Sequence, residues 1–365
     1  MRVAMTLRDL LGIDHAIIQA PMAGVQDGAL AIAVSNAGGL GSLPCAMLSP
    51  SAMRDELERI RAQTNQPYNV NFLCHRPPIP DDERDARWRS TLAPYYRELG
   101  VDVEAIPAAA AREPFTAEAA DILSDFRPAV VSFHYGLPSP ELLARVRSWG
   151  SKILSSATTV EEARWLEAHG ADAIIAQGLE AGGHRGMFLS DDVTTQVGTA
   201  ALLPQVVKAV TVPVIAAGAI VDAKSVAAAM ALGAAGVQVG TAYLLCPEAT
   251  TRAVHRAALK SEAARHTALT NLFSGRPARG IVNRMMREIG PMNALAPAFP
   301  LAGDAVAPLR AKAESLGLGD FSPLWSGQNA SGCKEIPAAD LTRELAAGFR
   351  SGYQPSRARF GSASP

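Results

Sequence analysis

The sequence has four cysteines in 365 residues, Cys45, Cys74, Cys246 and Cys333, with no CxxC pair among them. That argues against a disulfide framework or a cysteine-built cluster, and no structural metal is expected. Neither sign of charge predominates: 34 Lys and Arg stand against 35 Asp and Glu, a formal net charge of -1. With no basic stripe interleaved with aromatics, a nucleic-acid partner is not expected. No apolar run is long and unbroken. The longest, residues 212–239, carries Asp222 and Lys224 and is dotted with Gly and Ala, so no membrane span is predicted. The opening MRVAMTLRDLLGID puts Arg8, Asp9 and Asp14 where a signal peptide needs its apolar core, and a cytoplasmic protein is expected. A homo-oligomer is compatible with this composition. A dinucleotide fingerprint in its proper context is also lacking: AGGLG at residues 37–41 precedes a strand instead of following one, which argues against a Rossmann unit.

What is present is a regular alternation. A composition of 48% hydrophobic and 19% charged residues is that of a globular chain with a large core. Eight short apolar runs read as strands: AIIQAP from Ala16, LGSLP from Leu40, NVNFL from Asn69, AVVSFH from Ala129, KILSSA from Lys152, AIIAQG from Ala173, PVIAAG from Pro213 and GVQVG from Gly236. Amphipathic stretches lie between them, such as SAMRDELERIRAQ from Ser51 and VEEARWLEAHG from Val160. Several start near Ser, Thr or Asp and end before Gly, as helices do. Eight strand-helix units in this length predict an α/β fold, a (β/α)8 TIM barrel; an open doubly wound sheet is the alternative. Residues 75–128, Pro-rich and charged, predict a helical insertion over one rim. Beyond Pro247 helical patterns continue without further strand signal, which predicts a smaller, mostly helical second domain. The expected division is a discontinuous barrel, 1–246 with 327–365, and a helical substrate or lid domain, 247–326. The stretch 335–352 reads as a closing barrel helix.

Barrel sites lie at the carboxyl ends of the strands. The sixth strand ends at Gln177, and its loop delivers Gly182, Gly183, His184, Arg185 and Gly186. Paired glycines allow backbone N–H groups to approach a flat or anionic ligand. His184 can be a general base, a hydrogen-bond donor or an ordinary loop residue. The seventh and eighth strands end at Gly218 and at Gly240-Thr241, where barrels commonly hold a phosphate; the other reading is that these glycines only permit tight turns. Asn69 and Asn71 share one face of the third strand. They either bond rim loops, or Asn71 reads the polar edge of a flavin ring. Gln177 and Gln238 pose the same question, since buried amides need partners.

In order and spacing, QAPMAG, AVSNAGGLGS, NVNFLCHRPP, SFHYGLP, AQGLEAGGHRGMF, PVIAAGAI, VQVGTAYL, SGRPAR and WSGQ resemble the class I nitronate monooxygenases, formerly called 2-nitropropane dioxygenases. The resemblance covers nearly the whole chain. It implies FMN held by Ala20, Pro21, Met22, Asn71, Gln177, Gly182 and Gly183, with Gly218, Gln238, Val239, Gly240 and Thr241 around the phosphate and Gln328 touching from the tail. It implies a reactive His184 with His134 beside it, and no metal. The implied reaction is oxidation of an alkyl nitronate, such as propionate 3-nitronate, by O2 to a carbonyl compound and nitrite. The rivals are an FMN-dependent NAD(P)H reductase acting on an enoyl thioester or quinone, and a flavin-binding protein without turnover. Two departures are visible. Many relatives carry a Gly pair where this chain has Gly218-Ala219, and the first barrel helix opens Gln26-Asp27-Gly28 in place of a Thr or Ser cap.

Overall fold

The computed structural model describes residues 5–102 and 113–350. In chain order the strands are β1 (Ile17–Gln19), β2 (Gly41–Pro44), β3 (Tyr68–Leu73), β4 (Val130–His134), β5 (Lys152–Ala157), β6 (Ala173–Gln177), β7 (Gly183–His184), β8 (Val214–Ala217), β9 (Gly236–Val239), β10 (Thr267–Thr270) and β11 (Ala278–Ile281). Eight of them, β1–β6 with β8 and β9, form one parallel sheet in the order β1-β9-β8-β6-β5-β4-β3-β2. The bridge Ile18↔Leu40 brings its edges together, so the sheet is a nearly closed barrel. All eight strands expected from the sequence are present.

The period of two along each strand sorts side chains between two cores. Ile18, Leu40, Val130, Leu154, Ala173 and Ile215 cluster inside the barrel with Leu7 and Leu11 of α1 (Leu7–Leu11), which plugs the amino-terminal end. Their chain neighbours Ile17, Ile174 and Ala216 pack outward in a separate cluster with the helices. Toward the carboxyl ends the interior turns polar, and Ser42, Asn69 and Ser132 are buried there.

The helices are α2 (Gly28–Asn36), α3 (Pro50–Gln63), α4 (Asp82–Leu99), α5 (Ala117–Phe126), α6 (Pro140–Ser148), α7 (Val160–Ala168), α8 (Thr199–Ala209), α9 (Ala223–Ala231), α10 (Ala253–Leu259), α11 (Arg284–Glu288), α12 (Ala302–Ser315) and α13 (Ala338–Ala346). Asp27 accepts from Ala29 N at 2.8 Å, so the altered opening of α2 keeps a working cap. None of these helices is long and apolar enough to cross a membrane. The insertion at residues 75–128 divides: α5 packs between α3 and α6, whereas α4 turns Trp88, Leu92 and Tyr96 into a second core with Leu272, Met285, Leu309 and Phe321. Trp88 Nε1 donates to Ala302 O at 3.1 Å. Helix α13 packs against α2 and α9 and ends at Ala346, ahead of a short 3₁₀ turn; the last two residues expected in it, 351 and 352, lie outside the described residues.

The second layer contains strands that the sequence reading did not expect. β10 pairs antiparallel with β11, whose other edge pairs with β7. At four residues each, TALT and ARGI lack the apolar alternation that announces a strand, and their pairing is decided by tertiary contact.

Candidate functional site

A cavity of 270 Å³ opens at the carboxyl ends of the barrel strands. It brings together Ala20, Pro21 and Met22 after β1, Asn71 of β3, His134 of β4, Gln177 of β6, the loop 181–184, Gly218 after β8, and Gln238, Gly240 and Thr241 at β9. Two expected positions do not line it. The Val239 side chain is 1% exposed in the outer core, and its carbonyl accepts from Ala20 N. Gln328 is exposed, and its backbone N donates to Glu180 O at 2.9 Å.

The amide nitrogens of both asparagines are bonded, whereas Asn69 Oδ1 is buried with no hydrogen-bond partner among the described residues. Asn69 Nδ2 donates to Ser42 Oγ at 3.0 Å and Ser132 Oγ at 2.9 Å. Asn71 Nδ2 donates to Ser132 O and Oγ at 3.2 and 2.9 Å, so the atom Asn71 offers to the cavity is its acceptor, Oδ1. Neither asparagine side chain is seen bonding a rim loop. Gln177 does: Nε2 donates to His184 O at 2.9 Å and Oε1 accepts from Gly186 N at 2.8 Å. Its amide is a clasp on the histidine loop.

That loop is fixed from several sides. Arg185 is fully buried and donates from Nη2 to Gln177 O, from Nη1 to Gly178 O and from Nε to Gln196 Oε1 at 2.7–2.9 Å. Burial first, and the charge of Arg279 second, pull its pKa down to about 10, which leaves it a cation at neutral pH. Arg279 holds the same loop through Leu179 O at 2.8 Å. The segment after Trp325 links it to the turn after β9, since Gln328 N donates to Glu180 O at 2.9 Å and Gly327 N to Thr241 Oγ1 at 3.0 Å. A Cβ on Gly182 would lie 2.5 Å from Gly327 N. The glycine there therefore admits the tail backbone, in addition to any ligand.

His184 and His134 differ in environment. His134 Nε2 lies 3.3 Å from His184 O and Nδ1 lies 3.2 Å from Ser156 Oγ. A carbonyl only accepts, so Nε2 carries the proton and Nδ1 accepts from the serine. Burial pulls the His134 pKa down to about 4, the His184 carbonyl opposes this, and the charges of Arg185 and Arg276 add to it; the ring is neutral at pH 7. His184 has its Nε2 at 2.8 Å from Ser274 Oγ and its ring within edge contact of Tyr135, Phe299 and Trp325. Tyr135 takes a left-handed φ of 70°, rare for an aromatic residue, and Arg276 lies 4.3 Å over its ring. At the mouth, Arg252 and Arg310 share Glu314, and all three line the cavity.

The sequence reading did not assign Ser274, Tyr135, Arg276, Phe299 or Trp325 to the site. Ser274 and Arg276 belong to SGRPAR, Trp325 to WSGQ and Tyr135 to SFHYG, and these motifs were the available signal. Arg252, Arg310 and Glu314 had none.

Ala219 has φ 59° directly after Gly218 at 123°, so the departure from a Gly pair leaves a Cβ in left-handed backbone. That costs about 1–2 kcal/mol, against roughly 0.5–1 kcal/mol for the added freedom of glycine in the unfolded chain. Ala219→Gly is expected to raise stability by up to about 1 kcal/mol, read as a higher midpoint in thermal denaturation. A lower midpoint would show that the strain is relieved elsewhere.

Comparison with known proteins gives a consistent picture. The family model described as nitronate monooxygenase matches residues 4–348. A Paraburkholderia phytofirmans protein named nitronate monooxygenase is 43% identical over 345 residues, covering 93% of each chain. The crystal structure of nitroalkane oxidase from Streptomyces ansochromogenes superposes with a TM-score of 0.85 at 40% identity, covering 94% of this chain and 97% of that one. FabK from Thermotoga maritima follows at 0.70 and 27%, covering 95% and 96%.

Proposed function

The chain belongs to the nitronate monooxygenase family, and from that premise we propose that it oxidises alkyl nitronates with O2 to carbonyl compounds and nitrite, using FMN held at the carboxyl ends of the barrel strands. The observation that carries this reading is the meeting of His184, neutral His134 and a glycine-lined cavity wall in one pocket.

The residues present fit a flavin mononucleotide. A Cβ on Gly183 would meet nothing within 4 Å, and one on Gly240 only Ala20 Cβ at 3.4 Å and Met22 Sδ at 3.7 Å. Backbone there is open to close approach. Gly218, Gly240 and Thr241 suit a phosphate monoester, and the Asn71 Oδ1 acceptor suits a ring N–H. Ala20, Pro21, Met22 and Gln238 complete the wall, while Gln177 and Gly182 contribute by holding the loop. Bound there, the flavin supplies the redox chemistry.

The protein's own task is charge and position. Arg185, Arg276 and Arg279 surround the histidine loop, and Arg252 and Arg310 outnumber Glu314 at the mouth. This excess of positive charge favours a small anionic substrate, for which propionate 3-nitronate is a fitting size and charge. His184 hydrogen-bonds the nitro oxygens, and for a neutral nitroalkane it takes the proton from the adjacent carbon. Anaerobic mixing is the direct test. Nitronate should bleach the yellow protein and NADH should not. Bleaching by NADH alone would replace this reading by the NAD(P)H reductase, and a protein purified without flavin would remove both.

A further inference from the structure

Ser274 comes from the second layer, between β10 and β11, and is 2% exposed. Its Oγ has three neighbours: His184 Nε2 at 2.8 Å, Arg276 O at 3.4 Å and Arg276 N at 3.5 Å. A hydroxyl has one hydrogen and two lone pairs. The amide of Arg276 can only donate and its carbonyl can only accept. If the serine gives its hydrogen to His184, the Arg276 carbonyl loses its donor and one lone pair goes unused. If the serine gives its hydrogen to the carbonyl, both lone pairs are used, one by Arg276 N–H and one by His184 Nε2–H. For a buried hydroxyl the fully used arrangement is favoured.

We propose that Ser274 is the positioning residue for His184, fixing the neutral imidazole as the tautomer protonated at Nε2, with Nδ1 as the basic nitrogen. The inference rests on the base role given to His184 above. In that step the C–H bond next to the nitro group breaks, the proton passes to Nδ1, and the electron pair stays on the substrate as nitronate. The imidazolium so formed keeps its Nε2–H on Ser274, which passes the polarisation to the Arg276 carbonyl. Around the ring lie His134 through the His184 carbonyl, Tyr135, Phe299 and Trp325 at its edges, Arg185 next in the chain, Arg279 opposite Gly183 in β11, and Arg276 over Tyr135. Glu180 of the same loop is turned to Thr199 at the start of α8. The orienting task that an aspartate performs in a Ser-His-Asp triad here falls to a serine and a backbone carbonyl.

The test compares Ser274→Ala and Ser274→Thr with the parent, each FMN-loaded, on a neutral nitroalkane and on its preformed nitronate across pH. Ser274→Ala should slow the neutral substrate by roughly 10- to 100-fold, part of the ~10²–10⁴ a general base supplies. Its effect on the nitronate should be clearly smaller and the pH limb for the nitroalkane should move; Ser274→Thr, which keeps the hydroxyl, should recover most of the rate. If the parent shows that limb and Ser274→Ala reproduces both limb and rate, or loses both substrates equally, the proposal falls while the base role stands. If the parent has no activity on neutral nitroalkane that rises with pH, the base role falls and the proposal with it. Nitrogen-15 spectra of histidine-labelled parent protein above pH 8, with His184→Asn identifying the resonances, read the tautomer without any serine variant. Nε2–H is expected, and Nδ1–H would overturn the assignment.

Discussion

Replacing His184 with Asn is expected to reduce oxidation of neutral nitroalkanes by about 10²–10⁴-fold, the usual worth of a positioned general base, while preformed nitronates keep most of their rate. Asparagine retains hydrogen-bonding capacity but cannot take the proton. The backbone around it should survive, because the loop is held by groups other than the imidazole: Gln177 on His184 O and Gly186 N, Arg185 on Gln177 O and Gly178 O, and the β7–β11 pairing. FMN should therefore stay bound. The rate on the neutral substrate should rise with pH in the parent as the base loses its proton, and this limb should vanish in the variant. His134 cannot supply a limb near neutral pH, since burial first of all pulls its pKa down to about 4 and its ring is already neutral there. Steady-state rates on both substrates decide the matter. Equal losses would make His184 an anion stabiliser only, and unchanged rates with bound FMN would leave it an ordinary loop residue.

Arg185→Met should cost about 3–5 kcal/mol of stability, because it removes the guanidinium hydrogen bonds to three buried acceptors, Gln177 O, Gly178 O and Gln196 Oε1, at roughly 1–3 kcal/mol each before relaxation, with Gly178 O keeping only the backbone N–H of Ala181. Burying a cation with neutral acceptors is itself costly, and exchanging a buried ionic group for an apolar one can be neutral when all its partners are exchanged too. Here two of the partners are backbone carbonyls and cannot be exchanged. Thermal denaturation should show a fall of about 5–15 °C, together with weaker FMN retention as the loop loosens. Arg185→Lys, restoring one donor, should lie between. A loss under about 1 kcal/mol would mean that water replaces the guanidinium at little cost.

The barrel was legible because each of its strands is an apolar run between turn signals, and a period of two or 3.6 survives in the sequence without knowledge of the partner. The second layer was not. An amphipathic α4 announces that it has an apolar face but does not say that α12, more than 200 residues away, will cover it. Strands β10 and β11 owe their existence to each other and to β7, and four residues such as ARGI carry no period. The same distinction runs through the site. Gln177 and Asn71 stood out as amides on otherwise apolar strands, and His184 as a histidine among glycines. Ser274, 90 residues from His184, is an ordinary serine until the fold brings it to the ring. At Gly182 the sequence suggested room for a ligand, but it could not show that the closest neighbour is the tail backbone.

The α4–α12 contact has a consequence for synthesis. Trp88 and Ala302 are 214 positions apart, and at ~5–20 residues per second on the ribosome the apolar face of α4 emerges roughly 10–40 s before the helix that covers it. During that interval Trp88, Leu92 and Tyr96 are displayed by a nascent chain that cannot yet bury them, while the barrel strands emerge one after another beside them. Expression yield of this enzyme is thus tied to how well the cell shields one aromatic helix early in translation. Slower decoding of residues 100–300 would lengthen that exposure without changing a single amino acid.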